Sequence, residues 1–198
     1  MADSLDDPLL PEILRRIKAA GHAVFTRGNY NLNLFGIRHP DRSAGTFNDI
    51  LGCAYKEDGR GIVRYWTATT DAGLAYREKP MNPDGTAVLV AGQYRGAYKI
   101  GLHRGAYEAL VQIGAPVKVY RDDNRDKTID VFGLPVQEGY FGINIHRASL
   151  YGEQEEVGKW SAGCQVFASL RDFRQLVKLA KSQVANGHGN SFTYTLLE

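Results

Sequence analysis

Apolar and polar positions along this chain alternate in short runs, broken at intervals by Gly, Pro, Asn and Asp. Runs of that kind predict strands. Two stretches carry the longer helical period instead. Leu10, Ile13, Leu14 and Ile17 recur at helical spacing before Gly21, which predicts a helix over 11–20. Ser169 offers a cap, with Asp172 three residues on. Phe173, Leu176, Val177 and Leu179 supply an apolar face up to Asn186-Gly187, which predicts a helix over 169–185. Between these, extended segments are expected at 32–38, 47–55, 61–70, 86–91, 98–102, 117–121, 140–146 and 192–197. Glu57-Asp58-Gly59-Arg60 reads as the turn of a hairpin. Residues 71–85 read as irregular, 107–112 as one or two helical turns, and 122–127 as an exposed charged turn.

The expected fold is therefore mainly β (α+β), a curved β-sheet or sandwich with a few peripheral helices. No repeat or linker interrupts the 198 residues, so they read as a single domain, 1–198. The formal net charge of +2, with no dense Lys/Arg stripe, argues against a nucleic-acid partner. No segment approaches the ~18 apolar residues of a membrane span. No apolar leader follows the acidic start Asp3-Ser4-Leu5-Asp6-Asp7, so synthesis in the cytosol is expected. Oligomeric state is not legible. No His or Cys spacing suggests a metal, and no cofactor motif is present.

The chemistry concentrates near the C-terminal helix. Cys164 lies in Trp160-Ser161-Ala162-Gly163-Cys164, and His146 stands eighteen positions upstream at the end of an alternating segment. In that segment Phe141, Ile143 and Ile145 face one way; Gly142, Asn144 and His146 face the other. A thiol among small residues with an imidazole as base is the minimum for cysteine acyl transfer. The amides of Gly163 and Cys164 are candidates for an oxyanion hole. Ser161 could donate a further bond or shape the turn. The second cysteine, Cys53, sits in an apolar run and reads as a buried strand residue.

The pattern resembles the L,D-transpeptidase (YkuD-like) family, whose signature is a His, fourteen to seventeen residues, then Ser/Thr-His-Gly-Cys. Here fourteen residues separate His146 from Ser161-Ala162-Gly163-Cys164. The resemblance covers about Tyr65 to Phe167, including Pro83-Asp84-Gly85-Thr86, and covers 1–40 poorly. It implies that Cys164 is acylated, that His146 is its base and that the backbone carbonyl of Arg147 orients the imidazole. Two departures stand out: Ala162 replaces the motif's His, and Gln165-Val166-Phe167 lacks the usual Arg or Asn.

The resemblance implies peptidoglycan as partner, with attack on an amide in its stem peptide. A leaderless chain fits a phage lytic enzyme or an injected effector, which reaches the wall after lysis, injection or other export. Cleavage is thus expected ahead of cross-linking. A wall-binding module without activity is a further expectation, as is a glycosidase that would draw on Glu153, Glu155 or Glu156. Candidate substrate-binding residues are Trp160, Ser161, Tyr94, Arg95 and His103. The last three lie in or beside a Tyr-, Arg- and Gly-rich stretch suited to a groove wall.

Overall fold

The structure is a computed structural model in which residues 11–198 are described. Leu10 and the acidic start lie outside the described residues. The elements run α1 (Glu12–Ala19), β1 (Asn33–Ile37), β2 (Asp49–Glu57), β3 (Arg60–Thr69), α2 (Leu74–Glu78), β4 (Thr86–Leu89), β5 (Gly92–His103) and β6 (Tyr107–Gln112). They continue with β7 (Val117–Asp122), β8 (Val136–Gly139), β9 (Ile145–Arg147), β10 (Gln165–Phe167), α3 (Leu170–Ala185) and β11 (Phe192–Leu197).

Eight strands close into a barrel in the order β1-β11-β5-β6-β9-β10-β3-β2. The chain is mainly β with a few helices, as expected, but the expected curved sheet or sandwich is a closed barrel with a small separate sheet, β4-β7-β8. Closure depends on two parallel pairings, β1 with β11 and β9 with β10. Closing removes the free edges that an open sheet leaves unpaired. The remaining barrel pairs are antiparallel, including the expected β2–β3 hairpin.

Large side chains fill the interior, among them Trp66, Tyr98, Phe167, Phe192 and Tyr194, with Cys53 between them. Each fully buried apolar side chain of this size stabilises the fold by about 1.5–3 kcal/mol. The outer wall of β1 and β2 is also covered. Ile13, Leu14 and Ile17 of α1 pack on Phe35, Ala54 and Leu197. The longer α3 begins at its expected cap, where Ser169 Oγ accepts from the Asp172 amide at 3.4 Å. Phe173, Leu176 and Ala180 bury its apolar face, and the helix packs across β6, β9 and β10. It thereby backs the two short strands that carry the candidate dyad.

Three expectations for local structure change. Residues 107–112 form a strand, because Ala109, Leu110 and Val111 are buried in the barrel wall opposite β5. The irregular stretch 71–85 contains α2. Of 140–146 only the end is strand, at β9.

A buried guanidinium anchors each flank. Arg38 bonds Thr70 Oγ1 (3.1 Å) and the Leu89 carbonyl (3.0 Å), and pairs with Asp71 (3.2 Å) and Glu198 (2.8 Å). It ties β1, β3, β4 and the chain end together. Arg77 of α2 fills a ring of oxygens from Asp122, Asn124, Asp126 and the Thr128 carbonyl. The turn at 122–127 is thus held from beneath, with Asp122 buried rather than exposed.

Candidate functional site

The turn that presents Cys164 is built around one hydroxyl. Ser161 is fully buried; its Oγ donates to the Cys164 carbonyl (2.8 Å) and accepts from the Gly163 amide (3.1 Å). The Gly73 amide holds the Ser161 carbonyl at 2.9 Å. Gly163 has φ +117°, and a Cβ there would lie 2.5 Å from the Ala87 carbonyl oxygen. Only glycine fits this turn. Directly after it, the buried Gln165 pins β10 through Tyr194 Oη (2.7 Å) and the Thr70 carbonyl (3.3 Å).

The Ser-x-Gly-Cys spacing is thus a device for turning the chain sharply and aiming a thiol. It also corrects two expectations. Ser161 shapes the turn and does not face substrate. The Gly163 amide is engaged by Ser161 and is not open as an oxyanion donor.

The parallel β9–β10 register sets Gln165 beside Ile145 and Val166 beside His146. Cys164 is consequently level with Asn144, and His146 lies two residues further along the same face. Cys164 is half-buried and lines a cleft of about 470 Å³ with His103, Arg104, Arg121, Gly142 and Asn144. Its thiol donates to the Gly142 carbonyl at 3.4 Å. No hydrogen bond joins it to either imidazole in this arrangement. Burial pushes the thiol pKa up to about 11, against the opposing pull of the Asn144 backbone N–H and of Arg104. The resting sulfur is a neutral thiol.

His146 is buried, and burial is the main cause of a pKa lowered to about 3, with His103 adding to it. Its Nδ1 donates to the Arg147 carbonyl at 2.7 Å, the orienting contact that the resemblance implies for that carbonyl. That fixes the proton on Nδ1 and leaves Nε2 with a free lone pair, the form a base requires. Tyr107 Oη lies 3.4 Å from Nδ1, and the Arg147 guanidinium covers the Tyr107 ring at 4.0 Å.

The His103 ring stacks on that of His146 with centroids 4.1 Å apart and planes at 26°. It lines both the Cys164 cleft and a second cleft of about 360 Å³, which holds His146, Tyr107, Arg147, Lys159 and Trp160. Arg104, at the β5–β6 turn, also reaches both. The two clefts are basic, and among the described residues no Asp or Glu lines either one.

Of the expected groove residues, His103 is therefore in the site and Trp160 walls the second cleft. Tyr94 is in the barrel core, its hydroxyl donating to the Val90 carbonyl at 2.6 Å. Arg95 lies over Phe25, 6.0 Å from the ring centroid. It is eight residues from His103 along β5, roughly 26 Å at strand spacing. These two are corrected out of the site. Sequence reasoning missed Arg104, Tyr107 and the role of Asn144. An Arg directly after His103 and before Gly105, and an Asn in the same alternating face as His146, were the available signals.

Comparison of the chain with protein-family models, with curated proteins and with solved structures finds no match in any of the three. The likeness to L,D-transpeptidases thus rests on the motif alone. Among the described residues no helix is long and apolar enough to cross a membrane. No group of three or more His, Cys, Asp or Glu among them could hold a metal ion.

Proposed function

We propose that the chain is a cysteine acyl-transfer enzyme acting on amide bonds in the stem peptides of peptidoglycan. One observation carries this reading: a half-buried thiol opens into a basic cleft, one strand away from a buried imidazole held with its Nε2 basic. With the thiol and the imidazole both neutral at rest, attack is a general-base step rather than a preformed ion pair. On substrate binding the Cys164 side chain leaves the Gly142 carbonyl. His146 Nε2 takes its proton as Sγ attacks the amide carbon. The Cys164 amide, the free one of the two expected donors, faces the oxyanion. Collapse expels the amine, and the thioester is resolved by water.

The charge of the clefts favours this substrate class. Stem peptides carry free carboxylates, and Arg104, Arg121, Arg147 and Lys159 suit them. The glycosidase alternative needs two carboxyl groups across the scissile bond. Glu153 instead lines a separate depression beside the start of α3.

A second reading, cross-linking by an amine acceptor, is favoured by the second cleft. It holds His146, shares His103 and Arg104 with the Cys164 cleft, and would offer an acceptor its own approach.

Digestion of purified sacculi followed by mass spectrometry tests both. Cut stem peptides, absent with Cys164→Ser, support hydrolysis; new cross-linked masses support transfer. Sugar reducing ends, or equal release by Cys164→Ser, would overturn the proposal. Binding to sacculi without any new mass would assign a non-catalytic wall-binding module.

A further inference from the structure

We infer that His103 is a catalytic residue whose Nε2–H donates to the oxyanion formed when Cys164 attacks its substrate. This rests on the acyl-transfer reading above. Asn144 sets the tautomer of the His103 ring. Its Oδ1 accepts from the Gln112 amide at 2.8 Å, and a backbone N–H can only donate. The side-chain amide is therefore oriented, and its Nδ2 faces His103 Nδ1 at 3.1 Å. An amide nitrogen donates, so His103 Nδ1 must accept. The neutral His103 ring then carries its proton on Nε2.

This is the opposite tautomer to that of His146, which keeps its proton on Nδ1 for the Arg147 carbonyl. The two stacked rings present opposite chemistry at the same atom, one a base and the other a donor. Burial, then Arg104 and Arg147, lower the His103 pKa, so it stays neutral at working pH. A neutral imidazole N–H is a known way to polarise a carbonyl without moving a proton.

The site also needs such a donor. The Gly163 amide is spent on Ser161 Oγ, and Ala162 offers no side-chain donor. His103 shares the Cys164 cleft. In the step, the S–C bond forms and the carbonyl π electrons move to oxygen, held by the Cys164 amide and His103 Nε2–H. The thiol proton goes to His146 Nε2 and then to the departing amine as the C–N bond breaks. His103 keeps its proton throughout.

His103→Phe keeps a ring on His146 but has no N–H; His103→Gln restores a donor. The readouts are stem-peptide release from sacculi and the rate at which iodoacetamide alkylates Cys164. Alkylation needs the base but forms no oxyanion. For His103→Phe, release should fall roughly 10²–10³-fold, the cost of one lost oxyanion donor. Alkylation should stay within about twofold, and His103→Gln should recover about tenfold of the lost release. Release within about threefold of wild type for His103→Phe overturns the inference. So does alkylation falling in step with release, or a Gln variant no better than Phe. A wild-type protein that releases no peptide sinks the acyl-transfer reading itself, which is a different result from an active wild type indifferent to residue 103.

Discussion

The two cysteines share burial and differ in what accompanies it, and that difference decides their chemistry. Cys53 sits in β2 at 0% exposure, packed inside the barrel, and burial alone pushes its thiol far up. Cys164 is also pushed up by burial, but the Asn144 backbone N–H and Arg104 pull against that shift, and the side chain borders a cleft. Burial silences a thiol unless polar groups and an opening accompany it. Reactivity therefore belongs to the turn that aims the sulfur, not to cysteine as a residue.

The largest separation should appear on exchange to serine. Cys164→Ser should lower turnover at least about 10⁴-fold while leaving thermal unfolding nearly unchanged. Cys53→Ser should do the reverse, with turnover within about twofold of wild type. It should lose about 1–3 kcal/mol of stability, because a hydroxyl would be left unpaired in the core. Sacculus digestion and denaturant titration on both variants measure the pair. The next effect is smaller. His146→Ala should slow alkylation of Cys164 by roughly 10²–10⁴-fold and leave Cys53 unchanged, as followed by peptide mapping after iodoacetamide. Equal slowing at both sulfurs would mean loss of fold rather than loss of base.

The same contrast explains what could be read from residues alone. The β2–β3 hairpin and α3 were legible, because a turn at Asp58-Gly59 and a cap at Ser169 are local chemistry. Ser161, Gly163 and Cys164 were legible as a motif for the same reason. Barrel closure was not, since β1 and β11 meet across nearly the whole chain. Tyr107–Gln112 read as helical because short apolar runs do not discriminate period. The role of Asn144 was hidden because it depends on Gln112 from β6 and His103 from β5 arriving on either side of it. Tyr94 and Arg95 looked like a groove because the sequence does not say which end of a twelve-residue strand meets the thiol.

Acid stability should report the Cys164 region specifically. His146 is held neutral, with its pKa lowered to about 3, against about 6.5 in an unfolded chain. A depressed histidine leaves stability intact above pH ~6.5 and removes it as pH falls from there towards the folded value. The unfolding free energy should then fall by up to about 1.4 kcal/mol per pH unit across that window from this one group. His146→Gln should flatten that slope in denaturant titrations run from pH 7 to 4. Both thiols, each raised by burial, act at the other limb. A raised thiol contributes nothing to pH dependence below ~8.5 and loses stability as pH climbs beyond it. Cys53→Ala should therefore flatten the alkaline slope in part, leaving the contribution of Cys164, and should not alter the acid slope.

The smallest expected effect tests the polar pull on Cys164 directly. Arg104 sits at φ +51° in the β5–β6 turn, exposed to solvent, so its charge is screened. Arg104→Asn keeps a residue that tolerates this left-handed backbone while removing the charge. Alkylation of Cys164 at neutral pH should slow by about two- to fivefold, with the gap closing as salt is raised, and Cys53 should not respond. A salt-independent loss would mean that Arg104 shapes the turn holding His103. The sulfur would then owe its pull to the Asn144 backbone N–H alone.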